Sequence, residues 1–257
     1  MTDTINKKGI RLTLLAISLV QLGSLAISSI ISSILESFPE FSQQTAQFLM
    51  TFPGIFILIT SLMSAVLTRF ISQKKLTILG LILNITTAVG GLLLHGNIIL
   101  LFVWAASFGL GAGLWMPIIN ALASRYFEGH ERASLMGQIS SAQNIGAIFM
   151  TVVGGSLAVL SWHYVYFVYF IAVPGLVLAV IFLPDAKADT KKHAHPVDTN
   201  QPSHKKLNLK DLGIDGRVIL FSAIQFFFSL PYNSGPANFS LLLGEQGIGN
   251  SSTVGIL

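Results

Sequence analysis

IILLFVWAASFGLGAGLWMPIINAL, residues 98–122, runs for twenty-five residues without a charged side chain. A helix needs about 20 predominantly apolar residues to cross the hydrocarbon of a bilayer. This run is long enough, and it is apolar on every face rather than along one stripe. A soluble helix with no polar face must be buried all round. The rest of the chain offers little that could bury it. Hydrophobic residues make up 52% of the 257 and charged residues only 10%, against roughly 25% charged in a soluble domain. Mean hydropathy is +0.71. So little charge cannot cover a water-facing surface, and the surplus apolar surface is expected to face lipid.

Working outward, six further runs have the same character: Leu12–Leu35, Ala46–Leu67, Leu76–Leu94, Ser134–Leu160, Val165–Leu183 and Val218–Leu243. An eighth begins at Thr253. The runs are too long and continuous for barrel strands, which alternate over about 10 residues. Spanning helices satisfy their own backbone groups, as lipid requires. The N-terminal run is also too long for the apolar core of a signal peptide.

The charges fix the orientation. Lys7, Lys8 and Arg11 precede the first run, and Arg69, Lys74 and Lys75 lie between the second and third. Arg125 and Arg132 lie between the fourth and fifth. Lys187, Lys191, Lys192, Lys205, Lys206, Lys210 and Arg217 lie between the sixth and seventh. These are all 15 basic residues, and every one falls on the side of the N-terminus. The opposite loops hold only Glu36, Glu40, His95, His163 and Glu245. By the positive-inside rule the N-terminus is cytoplasmic. A miscount of one span would scramble this pattern, so it supports the count as well as the direction. The net charge of +4 therefore reports topology, and a nucleic-acid partner is not expected.

Between Pro184 and Asp215 the composition changes. The stretch is polar, carries both signs of charge and contains Pro196 and Pro202. It reads as a cytoplasmic linker. The expected organisation is a six-helix bundle over residues 1–184, a linker over 185–216, and the start of a second bundle over 217–257.

Local motifs carry a resemblance. Ser64-Ala-Val-Leu-Thr-Arg-Phe-Ile-Ser-Gln-Lys-Lys75 is similar to the loop motif G-x-L-A-D-R-x-G-R-R/K, with Ser64 for the glycine and Thr68 for the acid. Gly109, Gly111 and Gly113 match R-x-x-x-G-x-G-x-G, with Ala105 in the arginine position. Gly137, Gly146, Gly154 and Gly155 fit the spacing of the antiporter pattern G-x8-G-x3-G-P-x2-G-G, with Met150-Thr151 in place of Gly-Pro. The chain resembles the major facilitator superfamily over nearly its whole length.

That resemblance implies an all-α membrane protein with twelve helices in two six-helix halves. This chain would be a truncated sequence holding one half, the linker and about one further helix. It implies a secondary transporter that moves a small solute across the plasma membrane by alternating access, with protons as a candidate coupling ion. The glycine pattern leans towards efflux. Family architecture places the cavity between spans one, four, five and seven. The substrate-contacting candidates are then Gln21, Gln143, Asn144 and Gln225, with Trp115 as an aromatic wall. Tyr232 and Asn233 join them, because Leu230-Pro-Tyr-Asn-Ser-Gly-Pro236 would interrupt span seven. Arg69, Lys74 and Lys75 are gating candidates. Gly109, Gly113, Gly146, Gly154 and Gly155 are expected to pack helices closely. Asn84, on a span peripheral in the family, is expected to bond a neighbouring helix.

Other chemistry finds no support in the residues. There is no cysteine and no phosphate-binding loop, and His193, His195 and His204 sit in the polar linker. No metal, cofactor or catalytic constellation is expected. Two alternatives stand beside the transporter. One is a fragment inactive by itself. The other is a seven-span receptor, although no lysine follows Lys210 to hold a retinal. No Asp, Glu, Lys or Arg lies deep in a span, which leans towards a neutral or lipophilic substrate.

Overall fold

The computed structural model describes residues 6–185 except 29 and 41, together with 220, 223, 224 and 227. The linker and most of the seventh span, with Gln225, Tyr232 and Asn233, lie outside the described residues.

Five apolar runs appear as helices close to their expected limits. Four of them are α4 (Gln43–Leu67), α5 (Gln73–Leu93), α6 (Ile98–Tyr126) and α7 (Gly129–Ala158). The fifth is a 3₁₀ helix, Trp162–Ile171, that continues into α8 (Ala172–Phe182). Among the described residues four stretches are long and apolar enough to cross a membrane: 43–67, 73–93, 98–126 and 162–182. The polar side chains just outside the apolar runs set the starts. Ser42 accepts from the Thr45 amide, Ser72 from the Lys75 amide and Asn97 from the Ile99 amide. Pro53 and Pro117 lie inside α4 and α6 without ending them, as membrane helices tolerate.

The first run differs from expectation. Instead of one span over Leu12–Leu35, the chain forms α1 (Lys7–Ser18), α2 (Leu25–Ser28) and α3 (Ile31–Ser37). Residues 19–24 are turns, closed by three-residue bonds such as Gln21 N–H to Ser18 O at 3.2 Å and Gly23 N–H to Val20 O at 3.0 Å. Tertiary contacts hold the break. The Tyr169 hydroxyl donates to the Gly23 carbonyl at 3.0 Å in a buried position. The Leu19 carbonyl lies against Gly146 of α7, where a Cβ has no room. With three residues per turn, the 3₁₀ helix aligns Tyr166 and Tyr169 on one face. Their rings lie 6.0 Å apart, Tyr166 against Gly91 and Tyr169 against Gly23.

α6 packs between α4 and α5. α7 packs on α1, α2 and the 3₁₀ helix, and α8 on α1 and α5. Lipid supplies no hydrophobic drive between helices, so close van der Waals packing must hold them. The glycines of α6 serve this by facing two ways. A Cβ on Gly113 would lie 2.7 Å from the Ile57 carbonyl of α4, and one on Gly109 would run into the Pro53 carbonyl. Gly111, two positions on from Gly109, meets Gly80 and Asn84 of α5 instead. Ser64, in the motif's glycine position, donates to the Leu114 carbonyl at 2.8 Å and ties α4 to α6.

Tyr169→Phe keeps the ring and removes only the hydroxyl. It should lower stability by about 1 kcal/mol, one buried hydrogen bond, measured as an earlier thermal unfolding transition in detergent. An unchanged transition would show that the break does not depend on this bond.

Candidate functional site

The break in the first run places Gln21 beside α7. There the Gln143 Nε2 donates to Gln21 Oε1 at 2.7 Å. Both side chains are half-buried. The pair is supported from below, because Gly146 lies one turn beyond Gln143 on the same face and receives the Leu19 backbone. Nearer the start of α1, that helix and α7 are joined twice more. Arg11 Nε donates to Gln138 Oε1 at 2.9 Å, and Lys7 lies 3.7 Å from Glu131.

The other candidates are distributed as follows. Asn144, next to Gln143, is exposed and donates to its own helix at the Ser140 carbonyl, 2.9 Å away. Trp115 is fully buried between α5 and α6. With the Asn84 carboxamide turned so that both its ends find partners, the Trp115 Nε1–H donates to its oxygen at 3.1 Å and its nitrogen donates to the Phe108 carbonyl at 3.2 Å. Asn84 therefore makes the helix–helix bonds expected of it. Arg69 and Lys75 are exposed and Lys74 half-buried. Among the described residues these three make no ion pair. Gly154 and Gly155 are buried, and a Cβ on Gly154 would lie 2.9 Å from Val165. Gly137, by contrast, faces open space.

The structure thus brings Gln21 and Gln143 together and leaves Trp115 and Asn144 in other surroundings. Tyr169, which holds the break that presents Gln21, was not among the expected residues. Its signal was a tyrosine deep in an apolar run, three residues after another.

Chemically the pair is uncharged and offers both hydrogen-bond donors and acceptors. Among the described residues no group of three or more His, Cys, Asp or Glu gathers as a metal site would require.

Solved structures share this fold. A bacterial homologue of the human lysosomal transporter Spinster, inward-facing and unoccupied, superposes with a TM-score of 0.67 at 16% identity, covering 100% of this chain and 59% of its own. The peptide transporter POT in complex with sulfate gives 0.59 at 18% identity, covering 68% and 37%. A POT family transporter in complex with a thioalcohol-conjugated peptide gives 0.57 at 15% identity, covering 91% and 48%. The chain therefore spans between 37% and 59% of the length of these transporters. No curated protein sequence matches it. A family model described as the Major Facilitator Superfamily matches residues 13–257. With a match over that length and a bundle shared with solved transporters, the chain is a multi-pass membrane protein and belongs to the Major Facilitator Superfamily.

Proposed function

We propose that the chain forms part of a secondary transporter that moves a small neutral solute across the plasma membrane by alternating access, with its N-terminus in the cytoplasm. Residues 1–184 serve as one bundle, 185–216 as the linker and 217–257 as the start of the other. The observation that carries this reading is the Gln21–Gln143 pair at the helix break. Broken helices with polar side chains near the bilayer midplane are where transporters bind their solutes, and buried uncharged amides suit a neutral one. Gln225, Tyr232 and Asn233 would close the site from the seventh span. The glycine series of α7 favours export, and Arg69, Lys74 and Lys75 would act at the cytoplasmic gate. Proton coupling would use a titrating group outside the spans described.

The test is flux of a panel of neutral radiolabelled solutes from cells producing the protein. A transported solute should show a KM raised roughly tenfold in Gln21→Leu and in Gln143→Leu, the value of one hydrogen bond to the solute, with the amount of protein in the membrane unchanged. KM values unchanged from the unaltered protein in both variants would remove the pair from the site.

A further inference from the structure

We infer that the solute held at the Gln21–Gln143 pair presents an uncharged carboxamide-type edge, as a primary or secondary amide, a lactam or a urea does. The inference rests on the transport reading of that pair and narrows its ligand.

The argument is an inventory of hydrogen-bonding groups. A glutamine side chain carries two N–H donors and one carbonyl oxygen with two lone pairs. The bond from Gln143 Nε2 to Gln21 Oε1 at 2.7 Å uses one donor of Gln143 and one lone pair of Gln21. The Nε2 of Gln21 and the Oε1 of Gln143 have no other partner among the described residues. The pair therefore leaves one whole donor group, the Gln21 Nε2, and one whole acceptor, the Gln143 Oε1, unused, besides the second N–H of Gln143 and the second lone pair of Gln21. Both side chains are half-buried, so a ligand that displaces water there must satisfy both groups or leave one unpaired.

Each ligand class meets this requirement differently. A carboxylate offers only acceptors. It matches the N–H of Gln21 and sets a charged oxygen against the carbonyl of Gln143. An ammonium offers only donors and meets the opposite conflict at Gln21. A carboxamide offers one of each and satisfies both. Charge leads to the same choice. The nearest cations along the two elements are already engaged, Arg11 with Gln138 at 2.9 Å and Lys7 with Glu131 at 3.7 Å. Gln138 is five residues before Gln143, about 7.5 Å along the helix. A bound carboxylate would be desolvated with no adjacent counter-charge, which is costly.

Surroundings fix the pair in this geometry. Gly146 receives the Leu19 backbone one turn from Gln143, and Tyr169 holds the Gly23 carbonyl at 3.0 Å on the other side of Gln21. The break is thus pinned on both flanks, and the two amides face each other without needing the ligand to assemble them.

The experiment is titration calorimetry on the intact detergent-purified protein with four probes on one carbon skeleton: benzamide, N,N-dimethylbenzamide, benzoate and benzylammonium. Benzamide should bind roughly tenfold more tightly than each of the other three, the discrimination of one satisfied hydrogen bond. Gln21→Leu should erase that preference. Gln21→Glu, matched in size, replaces the free donor with a charged acceptor and should transfer the preference to benzylammonium. If benzoate, benzylammonium or N,N-dimethylbenzamide binds as tightly as benzamide while Gln21→Leu still weakens binding, the amide class is wrong and the site stands. If the benzamide affinity is unchanged in both Gln21→Leu and Gln143→Leu, the site reading fails as well. Absence of measurable benzamide binding to the unaltered protein also overturns the inference.

Discussion

Replacing Gly146 with valine should cost about 3 kcal/mol or more and separate Gln143 from Gln21. The offending atom is the first side-chain carbon, which would occupy the space of the Leu19 carbonyl. That neighbour is backbone and has no rotamer to retreat into. Relief requires α7 to move away from residues 19–24, and Gln143, one turn before Gly146, moves with it. The 2.7 Å bond to Gln21 is then lost. Because Cβ itself is in conflict, Gly146→Ala should fail nearly as badly as Gly146→Val. Gly137 supplies the control within the same helix. Nothing lies within 4 Å of a Cβ built there. Gly137→Ala should be neutral, or stabilising by up to about 1 kcal/mol through helix propensity. Thermal unfolding in detergent separates the two cases. A tolerated Gly146→Ala would show that α7 does not lie on Leu19.

This contrast marks what the chain's local pattern conveys. Gly137 and Gly146 belong to one motif spacing, yet one faces open space and the other receives backbone from a residue 127 positions earlier in the chain. Spacing carries the motif but not the partner. The same division holds for the helices. The starts of α4, α5 and α6 were legible to within three residues from hydropathy alone, and the caps Ser42, Ser72 and Asn97 account for where the helices begin. The break in the first run was not. Hydropathy is continuous through Leu12–Leu35, no proline interrupts it, and a single glycine is commonplace in a membrane helix. What opens the helix is tertiary: the Tyr169 hydroxyl on Gly23 and the Leu19 backbone on Gly146. Gln21 and Gln143 could be named as polar residues inside spans, at a cost that calls for a reason. Their contact, 122 residues apart in the chain, depends on the break and so was beyond any local reading. Trp115 illustrates the converse. Family architecture offers it as a cavity wall, while its indole is buried against Asn84, a pairing that no periodicity encodes.

Gly111→Val is expected to be as damaging as Gly146→Val, for a different reason. Gly111 lies at the crossing of α5 and α6, where both backbones come together. A Cβ on Gly111 would overlap the Gly80 carbonyl and the Asn84 carboxamide, and a Cβ on Gly80 would lie 2.5 Å from the Gly111 carbonyl. The crossing has no space on either side. Two penalties then add. The helices must separate, which forfeits packing where packing is the main source of cohesion. Asn84 must also leave its place, stranding the Trp115 Nε1–H now bonded at 3.1 Å inside an apolar interior. The expected loss is about 3 kcal/mol or more, with a shift in Trp115 fluorescence as the indole loses its acceptor. The two penalties can be separated. Asn84→Ala alone should strand Trp115 and leave the crossing intact, for a cost of about 1–2 kcal/mol. In the Asn84→Ala, Gly111→Ala double variant the carboxamide no longer obstructs the new Cβ, so any remaining cost belongs to the Gly80 carbonyl. If the double variant is as stable as Asn84→Ala alone, the crossing is looser than these contacts require, and Gly111 serves Asn84 rather than the approach of the two helices. If the costs add in full, both the backbone crossing and the buried amide hold α5 against α6.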